Sequence, residues 1–328
     1  MNNLKSRRAF IVGLSSTKIT NKERHFLRKY KPWGVILFAR NIKSVDQTKK
    51  LTNDIKKIFK DSKYPILIDE EGGMVTRIRS IIDNSHFPAK YFGDNYKKDK
   101  TKSLLYLRTY IKQISHLLRY MGISINTVPV LDIPRPFTSK VIGTRAISKD
   151  INVINKIGEK TIEHFKESRI ATVIKHIPGH GLAKSDSHLK LPIVDKTYEY
   201  LMRNDFKTFK NKNSLFAMTA HILFRKIDAN NPVTHSSKII GIIRKKLKFK
   251  NLIISDDISM KALKFNITLN TIKAFTAGCD LVLHCNGKIK EMTKVAENSK
   301  KLNKFIIEKT LKYYLSLIHI SEPTRPAL

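Results

Sequence analysis

Three stretches of the chain carry side chains from which a reaction can be built. In KHIPGHGLAKSDSH, Lys175 to His188, two glycines and a proline exclude regular helix, and Asp186 stands two residues from His188. A carboxylate at that spacing can accept the Nδ1–H of the imidazole, fix its tautomer and raise its basicity. His188 is therefore a candidate proton donor with Asp186 as its partner. A rival reading takes His176, His180, His188 and Asp186 as metal ligands, since imidazole and carboxylate suit zinc, but neither cysteines nor an HExxH spacing accompany them. Loop histidines satisfied by hydrogen bonds are the plainer alternative. In ISDDISM, Ile254 to Met260, Asp256 and Asp257 follow an apolar run. A carboxylate there can act as a nucleophile or simply cap the next helix, and with two in succession one can cap while the other faces a substrate. In IDEEGGMVTRIR, Ile68 to Arg79, Asp69 leaves an apolar run and Gly72-Gly73 turns the chain before Arg77. Carboxylate and guanidinium together can orient the hydroxyls of a sugar ring, or can pair with each other as a surface salt bridge.

Such groups need a frame that brings them together. Short β-branched or apolar runs recur at Ala9 to Leu14, Gly34 to Phe38, Pro65 to Ile68, Ile125 to Val128, Ala171 to Ile174, Leu215 to Met218, Leu252 to Ile254 and Leu281 to Leu283. Helix-period segments fill most of the gaps, among them Ser103 to Tyr120, Ile151 to Glu167, Thr197 to Phe209, Lys238 to Leu247 and Thr268 to Ala277. Strand and helix alternating in this way predict a single (β/α)8 barrel of the TIM type. A doubly wound open sheet has the same alternation, but polar residues at the strand ends favour the barrel. Asp69, Asp132, Lys175 with His176, His221, Asp256 and His284 each follow a different predicted strand, and closure would bring them to one face. Only the gap from Ile68 to Ile125 is long enough for an insertion.

Composition limits the classes of function. The chain has 328 residues, 41% of them hydrophobic, enough for a sizeable core. Its Lys plus Arg total of 63 against 27 Asp plus Glu gives a formal net charge of +36, which attracts polyanions. The lysines are scattered through every helix and no nucleic-acid motif accompanies them, so a codon bias toward A and T explains the charge without a specific nucleic-acid partner. No run approaches the ~20 apolar residues of a membrane span. Lys5, Arg7 and Arg8 before Ala9 to Leu14 read as the approach to a first strand rather than an export signal. The two cysteines, Cys279 and Cys285, flank one short run and are poorly placed for a bridge, which points to a reduced cytosolic setting. The barrel is expected to occupy residues 1–312. Residues 313–328 hold no lysine and end in SEPTRPAL, which reads as an atypical, artefactual tail.

Taken in order, GVILFARN (Gly34 to Asn41), IDEEGG with Arg77, PVLDI (Pro129 to Ile133), VIGTR (Val141 to Arg145), KHIPGHG, DSH and SDDISM resemble the β-N-acetylhexosaminidases of glycoside hydrolase family 3. The resemblance implies a lone barrel and retention of anomeric configuration. By motif position it implies Asp256 as the nucleophile of a covalent glycosyl-enzyme, His188 with Asp186 as general acid and base, and Asp69, Arg77, Arg145, Lys175 and His176 as holders of the N-acetylglucosamine ring. It further implies a cytoplasmic monomer acting on peptidoglycan fragments, N-acetylglucosamine β-linked to anhydro-N-acetylmuramic acid with or without peptide, and needing no metal or organic cofactor. A β-glucosidase or an N-acetylglucosaminide phosphorylase of the same family is the alternative within enzymes. A polyanion-binding protein on a degenerate barrel is the alternative outside them. Met74 stands where many relatives carry arginine, and Lys261 to Leu263 replaces residues that are usually small, which bears on fine substrate preference.

Overall fold

The computed structural model describes residues 2–187 and 189–318. Eight strands close into a barrel: β1 (Arg8–Gly13), β2 (Pro32–Leu37), β3 (Ile66–Ile68), β4 (Ile125–Asn126), β5 (Ala171–Ile177), β6 (Phe216–Thr219), β7 (Leu252–Asp257) and β8 (Leu281–His284). Each pairs in parallel with its sequence neighbours, and β8 closes on β1 through Phe10 opposite Val282 and Val12 opposite His284. All eight runs read from the sequence are barrel strands. Their near-continuous apolar character follows from burial on both faces, inward on the barrel core and outward on the helices. β5 is buried at every residue.

Helix starts are written in polar caps. Thr20 and Glu23 form a reciprocal capping box before Asn21–Tyr30, and the side chains of Ser44, Asp150, Ser236 and Asn266 cap Val45–Phe59, Ile151–Glu167, Ser237–Lys245 and Ile267–Ala277. The long β3–β4 connection holds two helices, Ala89–Lys98 and Lys100–Tyr120, packed on each other. A two-stranded ribbon, Ile193–Val194 with Leu223–Phe224, lies outside the barrel. Among the described residues no helix is long and apolar enough to cross a membrane, and Cys279 and Cys285 are free thiols.

The boundary expected after residue 312 is corrected. The last helix runs Lys304–Ser316, Tyr313 is fully buried with its hydroxyl 2.6 Å from Ser124 Oγ, and Tyr314 donates to Asp61 at 2.5 Å. Two tyrosines that find partners on the barrel make residues 313–316 part of it. Residues 319–328 of the expected tail lie outside the described residues.

Candidate active site

The C-terminal ends of the strands open into a cleft that holds about 730 Å³ of space, part of it open to solvent. Asp69, just past β3, Lys175 and His176 at the end of β5, and Asp256 near the end of β7 all line it. Arg77 and Arg145 enter from the loops after β3 and β4.

One charge network organises the near wall. Lys175, 2% exposed, directs its ammonium at Thr127 Oγ1 (2.8 Å), Glu71 Oε1 (2.5 Å) and Asp69 Oδ1 (3.3 Å). Thr127 also donates to Asp69, and Arg77 Nη2 lies 3.3 Å from its other oxygen. Burial works against ionisation of Asp69, but Lys175 and Arg77 outweigh it and hold the carboxyl far below the usual range. Arg145 grips Glu71 with a two-pronged contact, Nε to Oε2 at 2.7 Å and Nη2 to Oε1 at 2.9 Å, while Nη1 donates to the Val141 carbonyl. Burial would raise Glu71, yet Arg145 and Lys175 bring it down to about 2. Both carboxylates are therefore fixed anions.

His176 donates from Nδ1 to Asp132 Oδ2 at 2.8 Å, leaving Nε2 for the cleft. Asp132 also accepts the His176 and His180 backbone N–H groups, the latter at 2.7 Å. Burial and then the neighbouring His176 push His180 down to about 4, so it is a neutral ring at pH 7, with Nε2 3.3 Å from Ser187 Oγ. Among the described residues no group of three or more His, Cys, Asp or Glu is arranged to hold a metal ion.

Asp256 does not cap a helix. The next helix begins at Ile267 and its cap is Asn266. The Asp256 carboxylate instead accepts the Asp257 N–H at 2.8 Å, and its own N–H reaches Thr219 Oγ1 at 3.3 Å. Asp257 turns to Ser259, accepting its N–H and hydroxyl at 3.0 and 2.9 Å. Of the two adjacent acids, the first faces the cleft and the second ties the loop. Asp186 is half-buried on the loop after β5, and its carbonyl accepts from Leu189 and Lys190. His188 lies outside the described residues.

The structure thus gathers Asp69, Arg77, Arg145, Lys175, His176 and Asp256 around one cleft. The residues without an assigned role at the sequence level are Glu71, Asp132 and Thr127. Glu71 was within reach: it stands two positions after Asp69 in the same IDEEGG stretch, and its carboxylate meets the same Lys175 ammonium. Asp132 and Thr127 act through partners distant in sequence, which no local pattern reveals.

A closed parallel barrel whose strand ends bring fixed anions, guanidinium groups and imidazole to a single cleft has the form of a barrel enzyme for a polyhydroxyl substrate. Residues 3–316 match the glycosyl hydrolase family 3 N-terminal domain, and the chain belongs to that family, as a glycoside hydrolase. It is 33% identical over 282 residues to a beta-hexosaminidase of Methylobacillus flagellatus, spanning 84% of this chain and 80% of that protein. NagZ from Neisseria gonorrhoeae, solved with N-trifluoroacetyl-D-glucosamine, superposes with a TM-score of 0.85 at 25% identity over 94% of this chain and 90% of its own. A family 3 beta-N-acetylglucosaminidase from Paenibacillus shares the fold, with a TM-score of 0.84 at 24% identity, and this chain spans 62% of its length.

Proposed function

We propose that this glycoside hydrolase is a retaining exo-β-N-acetylglucosaminidase that removes terminal β-linked N-acetylglucosamine from peptidoglycan fragments in the cytoplasm. The observation that carries the reading is the position of Asp256 in the same cleft as the Asp69–Arg77–Lys175 network. Asp69, ionised throughout the working range, accepts two neighbouring hydroxyls of the sugar, and Arg77 donates to the ring from its other side. Lys175 spends its donors on Asp69, Glu71 and Thr127, so it serves the sugar by fixing Asp69. Arg145 keeps the N–H groups not taken by Glu71 and Val141 for the substrate, and His176 offers Nε2. The sugar held in this way presents C1 to Asp256, which attacks as the glycosidic oxygen leaves.

His188 protonates that oxygen, oriented by Asp186, and then takes a proton from the water that releases the glycosyl-Asp256 ester. An imidazole suits both halves because it exchanges its proton near neutrality, where a carboxylic acid needs its pKa raised by burial to do the same. Beta-hexosaminidase relatives and a neighbour solved with an N-acylglucosamine support an amino-sugar substrate.

The test is hydrolysis of N-acetylglucosaminyl-anhydro-N-acetylmuramic acid, with and without peptide, beside an aryl N-acetyl-β-glucosaminide and the matching glucoside, each with and without phosphate. Release of N-acetylglucosamine as the β-anomer, with the glucoside inert, is expected. An α-anomer first product, preference for the glucoside, or sugar 1-phosphate as the main product would overturn the reading.

A further inference from the structure

His284 ends β8 and is wholly enclosed, at 0% exposure. Neither of its ring nitrogens has a hydrogen-bond partner among the described residues. Polar atoms buried in this way are rare and call for a reason. Two carboxylates flank the ring. Asp257 Oδ1 lies 3.6 Å from Nδ1, and Glu291 Oε2, on the helix Ile289–Glu297, lies 3.6 Å from Nε2. These are ion-pair separations just outside hydrogen-bonding reach.

The surrounding charged groups are few. Asn286 donates to Glu291 at 2.6 Å and Lys288 lies 3.7 Å from its other oxygen. Arg40, from the short turn after β2, donates to the carbonyl of Cys285 and to that of Leu14. Asp257 accepts the Cys285 N–H at 3.3 Å as well as Ser259, while its own N–H donates to Asp256 Oδ1. The ring therefore stands behind the residue that holds Asp256. Gly13 is where the β1 end passes the Cys285 carbonyl, and a Cβ there would overlap it, so this corner is closely packed.

Resting on the assignment of Asp256 as nucleophile, we propose that His284 is a positioning residue. Set between Asp257 and Glu291, its ring holds the Asp257 side chain in place and so fixes the backbone N–H that aims the Asp256 carboxylate at the sugar. It touches none of the groups that hold the sugar, so its loss acts on turnover rather than on substrate binding.

An aryl N-acetyl-β-glucosaminide reads this best, because its leaving group scarcely needs protonation and the attack by the nucleophile is exposed. In His284→Leu, kcat is expected to fall about tenfold or more with KM within about twofold. His284→Gln, whose amide still donates, is expected to recover kcat to within about threefold of the unaltered chain. Equal losses in both variants, or none in either, overturn the inference.

Should the His284 variants not fold, Glu291→Gln decides, its side chain being 32% exposed. A kcat lowered about threefold with KM unaltered supports the positioning role, and an unaltered kcat contradicts it. Asp256→Ala, measured in parallel, separates the two levels. A near-unaltered rate there overturns the nucleophile assignment and the inference with it. Loss of turnover there, with no effect in either His284 variant, overturns the inference alone.

Discussion

Glu71 supports the sugar site without facing it alone: it is the shared counter-ion of Arg145 and Lys175, and both cations lose their anchor if it is neutralised. Removing one partner of a buried ion pair leaves the other charge uncompensated and costs about 3–5 kcal/mol. Glu71→Gln is expected to lower stability by about that amount in urea unfolding, and to raise KM more than it lowers kcat as Arg145 and Asp69 lose register. A variant as stable as the parent with unaltered KM would remove Glu71 from the site. His188→Ala tests the proton donor by comparison of leaving groups. Its rate on natural disaccharides is expected to fall at least about tenfold further than on aryl glycosides, which leave without help. Equal losses would make His188 a positioning group.

Elements were legible in the sequence where burial is simple. The barrel strands show as short apolar runs because neither face meets water, and Ile151–Glu167 shows with its observed ends because Asp150 caps a clean amphipathic period. The segment read as one helix from Thr197 to Phe209 is broken, with Tyr198–Arg203 followed by a 3-10 turn at Asp205–Phe209. The break lies at Asn204, and Arg135 holds the Asp205 carboxylate with two contacts at 2.8 and 2.7 Å. That partner comes from a distant loop, so helical periodicity could not foresee it. The site was legible to the same degree: strand-end acids and bases could be picked out, while the Asp132 clamp on His176 and His180 depends on two loops meeting. Those loops meet at Gly181, where a Cβ would overlap the Ile133 carbonyl. Gly181→Ala is therefore expected to displace the loop that bears Asp186 and His188 and to lower kcat/KM about tenfold or more with the barrel intact by circular dichroism. Wild-type kcat/KM would show that the loop tolerates the shift.

The molecule as a whole is expected to be acid-labile. His180 and His235 are each pushed down to about 4, both chiefly by burial, with His176 next for the first and His221 for the second. An unfolded imidazole binds its proton at about 6.5, so between these values the unfolded chain holds more protons. Stability is thus full above about pH 6.5 and is lost as pH falls toward 4. Glu71, lowered to about 2 from a usual value of 4.5, adds a loss of the same sign further into acid. Glu70, Asp205 and Asp280, raised by burial, oppose it in the carboxylate range. The histidine window is therefore read above about pH 5, where a Tm lower than at pH 7 is expected, with His180→Gln flattening the slope. A Tm independent of pH across that window would contradict it. The most direct test of the central claim, that Asp256 forms the covalent bond to the sugar, is mass analysis after trapping with a fluorinated N-acetylglucosaminyl donor that glycosylates quickly and hydrolyses slowly. One sugar on the peptide containing Ile254 to Met260, fragmenting to Asp256, is the expected result; a label on Asp257, Asp69 or no residue at all would contradict it.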